Sequence, residues 1–304
     1  MRATRWLRGI AAAILALAAG GAAAQPAGDD VVLAGTLKAL RQRGSVLVGY
    51  REASVPFSYL SSLREPIGYS IELCKTLVAD LGDAVDRELR IDWVPVTAAN
   101  RVEAVASGRV DLECGSTTNN AERRERVAFS PTIFVAGTRL MVKTGSGIRN
   151  WRDLAGKRVA VTAGTTNEQA MRELSQRFDL RLQFVVSADH DQSLAKLMAG
   201  EADAFATDDV LLYGLIAQRR LKGQVEVVGD FLSYDPIGVM YRRGDPAMAR
   251  VVNDSFRRMA QDGEIERQYR RWFLRKLPLG VSIGLPMSAE LETIIKATAT
   301  RSSE

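Results

Sequence analysis

Residues 158–177, RVAVTAGTTNEQAMRELSQR, contain one complete strand-to-helix unit. Arg158–Thr162 is a short β-branched run that reads as a strand, and Asn167–Arg177 reads as a helix. Between them lies the loop Ala163-Gly164-Thr165-Thr166-Asn167. The same rhythm continues downstream. Gln183–Val186 is a strand, Leu194, Leu197 and Met198 mark a helix that Gly200 ends, and Ala204–Thr207 leads into a helix at Asp208–Gln218. Upstream, a helical stretch at Val31–Arg41 precedes the strand Ser45–Gly49, and Ile71, Cys74, Val78 and Leu81 recur at helical spacing. Arg90–Val94, Asn100–Ser107 and Val110–Glu113 then read as strand, helix and strand. Near the end, Met248, Val251, Val252, Ser255, Phe256 and Met259 trace one helical face, and Ile265–Phe273 continues as helix. Such alternation means an α/β fold with mostly parallel sheets. No long Gly/Pro/Ser linker separates the halves, so two closely joined lobes are expected.

Composition narrows the function. The 304 residues are 46% hydrophobic and 25% charged, an ordinary globular balance that excludes a disordered or low-complexity chain. The opening MRATRWLR is cationic, GIAAAILALAAG is an apolar run, and Ala22-Ala23-Ala24 supplies a small-residue cleavage pattern. That is the three-part build of a secretory signal peptide over residues 1–24, and the run falls short of the roughly 20 residues that span a bilayer. Removing Arg2, Arg5 and Arg8 with it leaves 38 basic against 36 acidic residues, a net charge of +2. A nearly balanced chain does not point to nucleic acid. One histidine and two cysteines are too few for a Cys/His metal site, so neither metal nor cofactor is expected. Export to an oxidising compartment makes Cys74 and Cys114 a candidate disulfide, with two buried thiols as the alternative.

Four loops sit where α/β proteins bind ligands, beyond the carboxyl ends of strands. They are Tyr50–Phe57, Cys114–Asn120 with Arg123 beyond it, Ala163–Asn167, and Asp208-Asp209. Gly-Ser-Thr-Thr and Gly-Thr-Thr are small hydroxyl loops that can hold an anion with amides, hydroxyls and a helix dipole. Taken singly, such residues are more often plain helix caps.

The ordered strings VGYREASVPFSY, GYSIEL, ECGSTTNNAERR, FSPTIFVAGTRL, DLAGKRVAVTAGTTNE and YRRWF carry a specific resemblance. From about Val31 onward the chain resembles the family 3 solute-binding proteins of bacterial polar amino-acid ABC transporters, most of all the glutamate/aspartate subgroup. The resemblance implies a type II periplasmic binding protein, with two lobes of mostly parallel sheet joined by two crossover segments. Lobe 1 would hold residues 30–132 and 238–304, lobe 2 residues 138–232, and the crossovers would fall near 133–137 and 233–237. It also implies a monomeric periplasmic receptor, not an enzyme, that delivers L-glutamate or L-aspartate to an inner-membrane ABC permease.

Residue by residue, Arg123 matches the arginine on the ligand α-carboxylate, helped by backbone N–H groups of Thr118 and Thr166. Asp208 matches the carboxylate on the α-ammonium, with Ser116 and Thr118 as further acceptors. Arg51, Arg101 and His190 match the donors for an acidic side chain. Three arginines and one aspartate total +2 against a ligand of net −1, which suits an anionic amino acid. Ser70 departs from the broad family, which commonly has Asp or Glu there, but agrees with the subgroup. Two other classes compete with this reading. One is an enzyme on the same fold, such as a cyclohexadienyl dehydratase, and the other is a ligand-sensing module for a signalling partner.

Overall fold

The computed structural model describes residues 33–278 and 280–300; the targeting segment expected over residues 1–24 lies outside them. Two five-stranded sheets dominate. In the first the order is Arg90–Pro95, Ser45–Tyr50, Leu112–Glu113, Met240–Arg242, Val127–Phe129. In the second it is Gln183–Ser187, Arg158–Thr162, Ala204–Asp208, Thr138–Lys143, Val225–Val228. The patterns are the same. Three strands run parallel, a fourth is inserted antiparallel, and the last again follows the first three.

The inserted strands explain the pattern. Thr138–Lys143 and Met240–Arg242 are the strands that the chain enters just after it passes between the sheets. Those two passages, Phe134–Ala136 and Asp235–Ile237, pair antiparallel with Ala136 opposite Asp235. A two-stranded ribbon therefore joins the sheets. Phe134 anchors it, lying 5.0 Å from the Phe273 ring, 5.2 Å from Phe57 and stacked on Tyr269. The Tyr69 hydroxyl donates to the Ile133 carbonyl at 2.9 Å, which fixes the backbone beside it.

Burial on both faces accounts for the apolar strand at Arg158–Thr162. Val159 and Val161 pack with Leu140, Val142, Leu154 and Met171 on one face. Ala160 packs with Met141, Leu194, Leu197 and Phe205 on the other. A strand covered by helices on both sides has no polar face to show.

Three local readings differ from the sequence expectation. The first helix is Gly35–Arg43, ended by Gly44 at φ 72, a left-handed position that suits glycine. Ile265–Phe273 is not one helix: Glu264–Tyr269 is followed by a π-helical turn at Arg270–Leu274. Tyr269 and Phe273 stack 4.4 Å apart across that junction, and both meet Phe134. Gly115-Ser116-Thr117-Thr118 does not open a helix either. It is pinned to the returning passage, with the Asn119 N–H donating to the Pro236 carbonyl at 2.7 Å and the Gly238 N–H to that of Thr117 at 3.1 Å.

Cys74, on the buried face of the Tyr69–Ala84 helix, is bonded to Cys114 just past the Leu112–Glu113 strand. The bond ties a helix to the strand end that carries the loop just described, and both residues are fully buried. Cysteines 40 positions apart close a loop for which chain entropy predicts roughly 3–4 kcal/mol of stabilisation. Thiol labelling of the denatured, unreduced protein is expected to find no free cysteine. Two reactive thiols per chain would return both residues to the role of core packing.

Candidate functional site

Three arginines converge between the two sheets from three separate elements. Arg51 follows directly on the Ser45–Tyr50 strand, Arg101 opens the Arg101–Ala106 helix, and Arg123 lies on the short Ala121–Arg124 helix. Arg51 and Arg101 are each 2% exposed and Arg123 9%. Guanidinium groups resist such burial, and few protein atoms compensate them here. Arg101 Nη1 donates to the Ser116 carbonyl at 3.3 Å, while its Nε and Arg51 Nη1 have no partner among the described residues. Arg123 donates to the Thr118 carbonyl at 2.9 Å and to the Gly164 carbonyl at 3.4 Å. Burial lowers all three pKa values, Arg51 to about 9 and Arg123 to about 10, and the charge on Arg101 adds to both. At neutral pH they stay charged, each with donors left over for an anion.

The second sheet supplies the opposite wall. Thr165 caps the Thr166–Arg177 helix by accepting from the Glu168 N–H, so the bland reading of that loop holds for Thr165. Thr166 is the first helical residue, and its N–H therefore lacks an intrahelical acceptor. Thr166 Oγ1 meets Thr118 Oγ1 at 3.1 Å, one of the contacts from wall to wall. Gly164 makes another. A Cβ there would stand 2.6 Å from Ala99 Cα, so only glycine permits this approach. A cavity of about 450 Å³, lined by Ala99, Arg123, Arg126, Gly164, Thr166 and Arg172 among others, opens the region to solvent on the Arg123 side.

Asp208 ends the Ala204–Asp208 strand and occupies the cap position of the next helix without capping it. Its carboxylate accepts instead from Asn167 Nδ2 at 2.7 Å. Burial and the neighbouring Asp235 push it up to about 7, against the pull of the Asn167 hydrogen bond and the Arg101 charge. Asn167 also donates to Thr138 Oγ1 at 2.7 Å, and Ser233 Oγ meets the same hydroxyl at 2.7 Å and the Asp235 carboxylate. A buried hydrogen-bonded chain thus runs from Asp208 to both passages between the sheets.

His190 opens the His190–Met198 helix and is 1% exposed. Its Nδ1 lies 2.9 Å from Thr162 Oγ1. Burial, then the charges of Arg51 and Arg101, hold it well below the usual 6.5, so it is neutral at pH 7. Ser116 and Thr118 are buried in the loop beneath Arg101 and Arg123. Ser70 supports that loop by donating to the Gly115 carbonyl at 2.8 Å, which gives the unusual serine a structural role.

Sequence reasoning passed over Glu113, Asn167 and Asp235. Glu113 is fully buried and favours the charged form of all three arginines. The expected total of +2 is therefore incomplete, since Glu113 and Asp235 also face the cluster. A glutamate ending the buried strand at Leu112–Glu113 was the available signal.

A closed, charged cleft between two α/β lobes of matching topology is the architecture of a type II binding protein. The sequence matches the profile of the bacterial extracellular solute-binding proteins, family 3, over residues 46–275, and the chain belongs to that family. It is 36% identical to the glutamate/aspartate import solute-binding protein of Escherichia coli, over 95% of this chain and 97% of that one. It is 38% identical to the L-glutamate/L-aspartate-binding protein of Pseudomonas aeruginosa, over 90% of this chain and 91% of the relative. Among solved structures, an ancestral amino-acid-binding protein, a precursor of cyclohexadienyl dehydratase, superposes with a TM-score of 0.68 at 29% identity, covering 78% of this chain and 99% of that one.

The raised pKa of Asp208 has a signed consequence for stability. The folded chain binds a proton there that the unfolded chain has lost, so stability should fall as pH rises from about 4 to about 7 and level off above. His190 opposes this below 6.5, because the unfolded chain takes the proton first. Comparing Asp208→Asn with wild type isolates the first effect. The difference in unfolding free energy should move in favour of the variant across that window, by a few kcal/mol. A pH-independent difference would remove Asp208 as the titrating group.

Proposed function

We propose that the protein is an exported, monomeric receptor that captures L-glutamate or L-aspartate between its lobes. It then delivers the ligand to an inner-membrane ABC permease. The carrying observation is the pair of buried guanidinium nitrogens, Arg51 Nη1 and Arg101 Nε, left without acceptors among the described residues in a cleft that also holds Arg123 and the carboxylates of Asp208, Asp235 and Glu113. Buried donors of this kind are rare, and an anionic ligand answers them. The two relatives named above bind glutamate and aspartate by name, which supports the same chemistry here. The family and its relatives are binding proteins, and this chain is one of them rather than an enzyme.

The assignment of roles follows the family resemblance, and the convergence of the three arginines supports it. Arg123 and the N–H groups of Thr118 and Thr166 hold the α-carboxylate, and Asp208 with Ser116 and Thr118 receives the α-ammonium. Arg51 and Arg101 take the side-chain carboxylate, and His190 donates to it from the second lobe. The ribbon of Phe134–Ala136 and Asp235–Ile237 acts as the hinge, with residues 138–232 turning as the second lobe. Export follows from the leader over residues 1–24, with cleavage near Ala24.

Calorimetric titration of the mature protein against the common amino acids tests the reading. Glutamate and aspartate should bind, and lysine and arginine should not. Arg123→Ala should abolish binding of every amino acid with the fold intact, since an α-carboxylate left without its charged partner costs roughly 3–5 kcal/mol. Arg101→Ala should cost glutamate more than the nearly isosteric glutamine and so narrow the ratio between them. Equal losses would leave Arg101 only a shaping role.

Binding should also move protons. An α-ammonium against Asp208 pulls that carboxyl below its ligand-free value of about 7, so protons are released and affinity falls as pH drops below 7. His190 acts in the other direction, but its ligand-free pKa lies well below 6.5, which confines its uptake to lower pH. Titrations near pH 6.5 in buffers of different ionisation enthalpy should show net release. Net uptake there would mean that His190, not Asp208, is the group that titrates.

A further inference from the structure

Glu113 ends a strand at the floor of the cleft and is 0% exposed. Its Oε2 accepts from Thr117 Oγ1 at 2.7 Å, while Oε1 is buried without a partner among the described residues. That oxygen lies beneath Gly115. A Cβ on Gly115 would stand 2.3 Å from Glu113 Oε1 and 2.9 Å from Arg51 Cγ, so the carboxylate and the arginine stem press on the same backbone. Arg51 also faces Asp189, Arg101 faces Asp208, and Arg123 faces Asp208 and Asp235. Glu113 is the carboxylate that faces all three arginines.

A buried carboxylate with one oxygen unpartnered is costly, and so are guanidinium groups packed together out of water. Each offsets the other. The same negative charge lies in the field into which an anionic ligand must enter, and there it acts against binding. The two effects have opposite signs, so one residue trades stability of the ligand-free protein against affinity.

We infer that Glu113 sets the charge of the cleft: it stands in for a ligand anion beneath the arginines and thereby limits affinity for acidic amino acids. The inference rests on the proposed acidic-ligand reading. A solute-binding protein must also let its ligand go, and a built-in counter-charge favours release on opening.

The test is Glu113→Gln, which keeps an acceptor for Thr117 and removes the charge. The variant should bind glutamate roughly tenfold more tightly, change little toward zwitterionic glutamine, and melt at lower temperature without ligand. An unchanged glutamate-to-glutamine ratio, or a larger loss for glutamate, would overturn the inference. Should the variant not fold alone, added glutamate must restore its circular dichroism where glutamine does not, and rescue by both or by neither would count against it. A ligand-free arm keeps the two readings apart. If Glu113 offsets the arginines, its replacement should cost less melting temperature in an Arg51→Gln background than in wild type. Equal costs would overturn the role of Glu113 whatever the ligand is. A wild-type chain that ignores glutamate would instead sink the acidic-ligand reading.

Discussion

Three guanidinium groups share one cleft that water scarcely reaches, and much of the surrounding structure answers that constraint. Desolvation and mutual repulsion both disfavour their charge. The chain holds them by spending some donors on the carbonyls of Ser116, Thr118 and Gly164 and by placing Glu113, Asp208 and Asp235 around them. Those carbonyls belong to the two hydroxyl loops, whose threonine hydroxyls are themselves tied up within the protein, Thr117 to Glu113, Thr118 to Thr166 and Thr165 to its helix. Loop position in turn depends on groups outside the cleft. Ser70 holds Gly115, and the bonded Cys74–Cys114 pair fixes the strand end from which the loop departs.

The matching sheets make such a cluster possible. Each presents the carboxyl ends of three parallel strands to the same space, which is where α/β sheets leave loops free. The ribbon between them keeps the ends opposed. Its anchoring is unequal. Phe134 is packed among three rings of the first lobe, whereas the returning passage adds polar links through Ser233 and Asp235 to the burial of Ile237.

The strands were legible because burial on both faces leaves an unmistakable apolar run, as at Arg158–Thr162. Helix positions followed from periodicity, to within a few residues. The π turn after Tyr269 was not readable, since the Tyr269-Arg270-Arg271-Trp272-Phe273 string is equally good α-helix and its ring partners Phe57, Tyr69 and Phe134 all lie far away in sequence. Among the site residues, Arg123 and the hydroxyl loops announced themselves by pattern. Arg51 and Arg101 did not, because a lone arginine at a strand end or helix start is ordinary on a surface. Resemblance alone drew attention to them. Glu113 and Asn167 lay inside recognised strings but looked like a strand end and a helix start. Their roles come from what stands across the fold, which spacing along the chain does not encode.

Two glycines show how closely the lobes depend on one another. Gly214 lies within the Asp209–Arg219 helix, where glycine costs about 1 kcal/mol relative to alanine. A Cβ there would stand 2.2 Å from the Val55 carbonyl oxygen, so the helix accepts that cost to let the first lobe approach. Gly164 does the same against Ala99, beside the arginine that reaches across to its carbonyl. Contacts made by backbone alone are small in area and contribute little energy. Apolar contact joins them as well: Val210 and Leu211, on the same helix as Gly214, pack into the core that holds Val55, Phe57 and Tyr59. On the proposed reading a ligand anion between the arginines adds charge pairing to these contacts, and the counter-charge of Glu113 opposes it.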